Sequence, residues 1–209
     1  QKAWTVEVGG RGQTARVEGE ASLYHSRVRH ELFETNDNFG QDLGTINVPN
    51  TRHQGIELGL EIELLKREKG APRLTLRQEY TLNDFRFRND PVYGNNHIAG
   101  IPIHLYQAEL TYRHSSGFFF GGEIDTSLGG FWADQANTLK TGSYSLTGLK
   151  AGYQSRRFSV FVEGRNLSDR RYAAMVKPIG DARVVDAEEL MVFGPGLPRT
   201  IYGGVTWTW

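Results

Sequence analysis

The sequence predicts an all-β fold, an antiparallel transmembrane β-barrel segment of about nine strands in meander order. Three observations carry that prediction. Apolar residues recur at period two along nearly every stretch that is not rich in Gly, Asn or Pro, and nowhere is there room for a helix of ~11 residues with a period of about 3.6. Connections alternate between short and long along the chain. The last stretch, Pro198 to Trp209, reads PRTIYGGVTWTW and puts Ile201, Gly203, Val205, Trp207 and Trp209 on one face. Thr200, Tyr202, Gly204, Thr206 and Thr208 take the other. In water, two exposed tryptophans beside a free strand edge invite aggregation. In a barrel the apolar face meets lipid and the aromatics sit at the interface. A soluble sandwich ending on an edge strand is the competing reading, but its Greek-key connections are irregular rather than alternating.

Composition sets further bounds. The chain has 209 residues, 24 basic and 24 acidic side chains, 25 glycines and no cysteine. Without cysteine there are no disulfides, thiolate metal sites or Cys nucleophiles. Charge balance argues against a nucleic-acid partner, which calls for a basic surface. No run reaches ~18 apolar residues, so no helix crosses a membrane. Barrel strands expose only alternate residues to lipid, so a mean hydropathy of −0.48 is what a barrel wall gives. The chain opens on Gln1 without a signal-peptide core, which points to a cleaved leader or to a piece of a longer chain.

The strands follow in order. Trp4, Val6 and Val8 start the first, which ends in the turn Gly9 to Gln13. Gly10-Arg11-Gly12-Gln13-Thr14-Ala15 formally matches the dinucleotide fingerprint, but Val17, Gly19, Ala21 and Leu23 continue at period two where that motif requires a helix. The second strand runs to about Phe33. His30-Glu31-Leu32-Phe33-Glu34 lacks the second His of a zinc-protease motif. Residues 35–50 read as a polar loop. In the third strand Ile56, Leu58, Leu60, Ile62 and Leu64 alternate with Glu57, Gly59, Glu61 and Glu63. Three carboxylates on one face need water or cations, as in a polar lumen. After the charged turn from Lys66 to Pro72, Leu74, Leu76, Tyr80 and Leu82 oppose Thr75, Arg77, Glu79 and Thr81, so Arg77 and Glu79 can pair with the glutamate row. Residues 88–101 form a second long loop. Tyr106 to Tyr112 is the fifth strand and Phe118 to Asp125 the sixth, joined by the His114-Ser115-Ser116-Gly117 turn. A third loop, 131–142, leads to the seventh strand, Tyr144 to Tyr153, and the Gln154 to Arg157 turn leads to the eighth, from Phe158. Residues 173–197 are the longest loop, and the ninth strand closes the series. Short periplasmic turns and long extracellular loops are the barrel asymmetry. With the C-terminus periplasmic, loops 35–50, 88–101, 131–142 and 173–197 face outside.

Four segments carry a resemblance. Asn166-Leu167-Ser168-Asp169-Arg170-Arg171-Tyr172 resembles the N-L-[ST]-D-[KR]-x-Y motif near the end of TonB-dependent outer-membrane receptors. Thr51 to Leu58 resembles their T-x-x-x-G-x-E strand, Gly100 to Leu105 their G-x-P-x-H strand start, and Tyr144-Ser145-Leu146 their Y-x-L start. The segments follow in family order over essentially the whole chain. Tyr202, Gly204, Trp207 and Trp209 resemble the terminal signal that the barrel-assembly machinery reads. The resemblance implies structural roles: Asn166 and Asp169 bond backbone where the strand leaves the membrane, and Leu167 and Tyr172 belong to the same motif. It also implies a barrel of about 22 strands with a plugged lumen. Residues 1–209 are then the C-terminal portion, with the plug and the N-terminal strands absent.

The function so implied is TonB-dependent transport of a scarce ligand across the bacterial outer membrane, a ferric siderophore or similar iron complex. Its partners are outer-membrane lipid and TonB, the latter acting through the absent plug. Arg88, Tyr93, His97, Trp132, Lys140 and Lys177 in the loops are the candidate ligand contacts, being cations and aromatics suited to an anionic chelate. A passive porin is the alternative. The chain reads as no enzyme: His25, Asp125 and the Glu57/Glu61/Glu63 row are scattered, and no G-x-S-x-G stretch is present. No resident metal or cofactor is expected.

Overall fold

A strand whose side chains alternate apolar and polar can bury neither face alone, so it must add neighbours edge to edge. A computed structural model, describing residues 1–37, 41–65, 70–186 and 189–208, shows how far this goes. The elements are β1 (Lys2–Gln13), β2 (Val17–Asn36), β3 (Asp42–Glu63), β4 (Arg73–Phe87), β5 (His104–Arg113), β6 (Phe118–Leu128), β7 (Tyr144–Gln154), β8 (Phe158–Arg165), β9 (Ala173–Val176), the 3-10 turn η1 (Ala182–Val184), β10 (Phe193–Pro195) and β11 (Thr200–Trp207). Nine strands form one antiparallel meander in the order β1-β2-β3-β4-β5-β6-β7-β8-β11. The sheet does not close on itself, and β1 and β11 are its edges.

The register sorts every residue to one face. Leu23, Ile56 and Leu82 lie side by side on the outer face, and Ser22, Glu57 and Thr81 on the inner. Outward residues stay exposed although apolar: Ile201 is 69% accessible, Trp207 64% and Leu149 60%. So wide an apolar face is tolerable only against lipid. Aromatics gather at its periplasmic margin. Tyr112 lies 5.2 Å from Phe120, Phe118 4.9 Å from Tyr153, and Phe158 5.9 Å from Trp207, a belt across β5, β6, β7, β8 and β11. Short turns cap that end. Thr14 Oγ1 accepts from Val17 N at 3.1 Å, and Ser155 Oγ from Phe158 N at 3.1 Å. The charged turn expected at 66–69 lies outside the described residues, as does Trp209.

The turn expected at Gly9 to Gln13 is strand, paired with β2 from Gly9↔Ser22 to Gln13↔Glu18, and two expected loops are not loops throughout. Most of 35–50 is strand, because β2 and β3 stay paired from Val17↔Ile62 up to Asn36↔Asp42. Thr45-Ile46-Asn47-Val48 is a good β run that the surrounding Asn, Asp and Gly disguise. The connection shrinks to 37–41, where Asp37 N donates to Gln41 O at 3.0 Å. Stretch 42–50 thus rises on the order of 30 Å beyond the point where β4 ends. His30, at φ 55°, and Pro49 drop out of the pairing, and beyond them Phe33 and Val48 turn onto the inner side, against Phe87. The 173–197 stretch also departs from a plain loop, because β9 and β10 form a small hairpin within it.

If the outer face contacts lipid and the inner face does not, then Leu149→Arg should cost about 2–4 kcal/mol of stability and Glu109→Gln far less. Equilibrium urea unfolding of bilayer-folded protein measures the difference.

Candidate ligand-facing rim and lumen wall

The inner face is built of charges that pair along and across strands. Arg77 Nη2 lies 2.8 Å from Glu61 Oε2, as the sequence spacing expects. Lys150 Nζ and Arg165 Nε converge on Glu163 at 3.3 and 2.5 Å. Glu109 stands opposite Glu123, a like-charge pair that only a wet wall accommodates. Arg165 also lies over the Tyr202 ring, 5.3 Å from its centre. Glycines let these side chains lie flat. A Cβ at Gly148 would meet the Glu123 carboxylate at 2.5 Å, and one at Gly204 the Phe161 ring at 2.7 Å. The concavity that results, about 490 Å³, is lined by Arg77, Glu79, Glu123, Asp125, Arg165 and Tyr202 among others.

Above the wall the outer loops are joined into one rim. Asp134 is fully buried and accepts from Thr138 N at 2.8 Å, Leu139 N at 2.9 Å and Ala182 N at 3.1 Å, binding loop 129–143 to loop 173–192. Asn137, in the left-handed region at φ 57°, accepts from His97 N at 2.8 Å and donates to His97 O at 2.9 Å. Gln135 Oε1 accepts from Ala99 N, and Trp132 O from Gly100 N. Phe131, Ala133, Val176, Ile179 and Val192 form the core beneath. Asp134, Gln135 and Asn137 did not stand out in the sequence. The Asp-x-x-Asn-Thr spacing, which suits side chains that cap their own backbone, was the signal available.

The six loop candidates fall into this rim without meeting at one point. Lys140 Nζ lies over the Trp132 ring at 5.1 Å, across a bridge between the two residues. Tyr93 is half-buried with its ring 5.2 Å from Phe87, and burial together with Asp90, Asp181 and Asp134 raises its hydroxyl pKa. His97 Nδ1 sits 3.6 Å from Asp84 Oδ1, and burial, then Arg86, holds its pKa below the ordinary value. Arg88 N donates to Asn50 O at 3.0 Å, and Lys177, exposed just beyond β9, has its N–H on Val192 O at 2.9 Å. Trp132 and Lys140 are brought together, Tyr93 packs on the inner side against Phe87, His97 lies beside Asp84 on the outer flank, and Arg88 and Lys177 stand apart.

The Asn166 motif has a clear mechanical role. Asn166 is buried with φ 47°, and its Oδ1 accepts from Arg170 N at 2.8 Å. Its Nδ2 donates to Arg170 O at 2.9 Å and Leu197 O at 3.0 Å. Asp169, at φ 53°, accepts from Arg199 N at 2.9 Å. Leu167 N donates to Thr147 O, and its side chain covers Gly164. Tyr172 packs 4.5 Å from Tyr144 and against Gly196. Both feet of the longest loop are thereby pinned to the heads of β8 and β11.

A wall with lipid on one side, paired charges on the other and a packed outer rim defines an outer-membrane β-barrel protein. Residues 1–167 match the family model described as TonB dependent receptor-like, beta-barrel, and the chain belongs to that family, whose members are outer-membrane transporters and receptors. The ferrichrome outer membrane transporter/phage receptor of Escherichia coli is 29% identical over 103 residues, which is 46% of this chain and 14% of that protein. Among solved structures, the siderophore receptor PiuA from Acinetobacter baumannii superposes with a TM-score of 0.69 at 18% identity, covering 98% of this chain and 28% of that one. The copper transporter OprC does so with a TM-score of 0.73 at 16% identity, covering 99% and 31%. The chain thus spans under a third of the proteins it resembles.

Asn166→Ala leaves buried backbone groups unpaired and should cost about 1–3 kcal/mol, read as a fall in the heat-modification temperature of the full-length barrel. Asn166→Gly keeps the backbone conformation without the bonds, so it should recover only part of the loss. Acid should loosen the rim at a defined place. Asp181 is held down to about 2 by its bond from the Arg183 side chain and then by the Arg183 N–H. A depressed carboxyl contributes fully above its ordinary pKa of about 4 and is lost between there and about 2. Protection of the Arg183 amide should fall across that window, and Asp181→Asn should abolish the dependence.

Proposed function

We propose that this chain forms the C-terminal wall of a TonB-dependent receptor that imports a scarce metal chelate, a ferric siderophore or similar iron complex, across the outer membrane. The match of residues 1–167 to the receptor-barrel family carries the reading. The ferrichrome transporter among its relatives favours an iron complex as cargo. The open sheet, with β1 and β11 as unpaired edges, suits a segment of a larger barrel whose plug lies elsewhere and is moved by TonB. On this reading the rim captures the chelate. Trp132 carries the Lys140 ammonium over its ring, and Tyr93, Arg88 and Lys177 add donors and cations suited to an anionic ligand, with His97 set off from them beside Asp84. Contacts of this kind grip the chelate from outside rather than ligate its metal. The terminal strand, with Tyr202, Gly204, Trp207 and Trp209, is the part the assembly machinery would engage.

Uptake of radioiron-labelled ferric hydroxamate by iron-starved cells carrying the full-length receptor tests this. Uptake should require both the receptor and TonB. Trp132→Ala and Lys140→Ala should each weaken apparent affinity about two- to tenfold. Constitutive conductance in planar bilayers together with TonB-independent uptake would instead identify a passive pore.

A further inference from the structure

Outward positions of the first four strands fall into horizontal rows fixed by the register. Val8, Leu23, Ile56 and Leu82 form an apolar row. The next row toward the outer rim is Val6, His25, Gln54 and Asp84. The next is Trp4, Arg27, Arg52 and Arg86, with His97 bridged to Arg86. Above it stand Lys2, Arg29 and Asn50. Strands lie about 4.8 Å apart and alternate residues about 6.8 Å along, so three guanidinium groups share a line about 10 Å long just above the apolar band.

Those cations are under-compensated. Asp84 is the one carboxylate in these rows. It takes Arg52 Nη2 at 2.9 Å, Arg86 Nε at 2.5 Å and Gln54 Nε2 at 3.0 Å. Arg27 and Arg29 are exposed and have no ion pair among the described residues. Arg52 Nε is buried without a hydrogen-bond partner. Like charges across adjacent strands repel unless an anion intervenes. Trp4, 61% exposed and directly beside Arg27, sets the height of the row, since an outward Trp marks the membrane–water interface. The feature is local. At the outer ends of β5, β6 and β7 the outward residues are His104, Tyr106, Thr126, Leu128 and Ser145, without Arg or Lys.

We infer that the outer flank of β2, β3 and β4 is a binding site for a phosphate-bearing lipid headgroup of the outer leaflet, held by Arg27, Arg52 and Arg86. Guanidinium forks match phosphate oxygens bidentately. Headgroup phosphates lie where the row lies, and the acyl chains run down over Leu23, Ile56 and Leu82. Asp84 is a positioning residue that fixes the spread of Arg52 and Arg86. Lys2 and Arg29 strengthen the field from above. The site depends on the outer-membrane location and not on the cargo.

Native mass spectrometry of the purified full-length receptor tests this with three probes: bis-phosphorylated lipid A, its dephosphorylated form, and inorganic phosphate. The phosphorylated lipid should be retained at least tenfold better than the dephosphorylated one. The triple variant R27Q/R52Q/R86Q should lose that preference. Arg27→Gln alone removes no bond within the protein, so it should lower retention several-fold with unchanged heat-modifiable mobility, which separates binding from misfolding. Asp84→Asn releases Arg52 and Arg86 from their fixed spread and should lower retention several-fold. Equal retention of the two lipids, unchanged retention by R27Q and the triple variant, or inorganic phosphate bound as tightly as the phosphorylated lipid would overturn the assignment.

Discussion

The constraint everything else obeys is that backbone polar groups in hydrocarbon must find partners within the protein. An antiparallel ladder satisfies them strand by strand, and here it runs unbroken from β1 to β11. Once the ladder exists, alternation does the rest. Each residue has only two places to go, lipid or lumen, and sequence parity decides which. The exposed apolar face, the aromatic belt and the charged wall are therefore consequences of one pairing scheme rather than separate designs. The same scheme explains the small residues. Gly148 and Gly204 sit where a neighbouring Glu123 or Phe161 lies along the wall, and a Cβ would lift those side chains into the lumen.

Much of this was legible in the sequence because it depends on period two. Ile56, Leu58, Leu60 and Ile62 against Glu57, Glu61 and Glu63 announce a wall with one apolar and one charged face, and Arg77 does pair with Glu61. Legibility failed where composition and conformation part company. Thr45 to Val48 lies among Asn, Asp and Gly, which ordinarily mark a loop, but the partner strand's Phe33 and the packing of Val48 on Phe87 hold it extended. Burial supplied by a distant segment overrides local propensity there.

The outer rim was illegible for a different reason. Its organising residues, Asp134 and Asn137, act through backbone atoms far along the chain, Ala182 N for one and His97 N and O for the other. Nothing in the local pattern names those partners. The loop candidates were chosen by chemical type, and type alone does not tell a ring that packs on Phe87, as Tyr93 does, from one that carries a cation, as Trp132 does. The arginine row was hidden likewise. Arg27, Arg52 and Arg86 are far apart in sequence and become neighbours only through the register.

The pinning of the longest loop has an evolutionary corollary. Asn166 and Asp169 hold its feet through bonds to Arg170 N and O, Leu197 O and Arg199 N, all main-chain atoms that every residue supplies. The clamp reads no side chain between those feet. Outside the rim-core residues Val176, Ile179 and Val192, the Ala182 tie and Gly196, positions in the span can therefore vary without disturbing the strands below. Variation at those positions is mechanically insulated from the frame beneath.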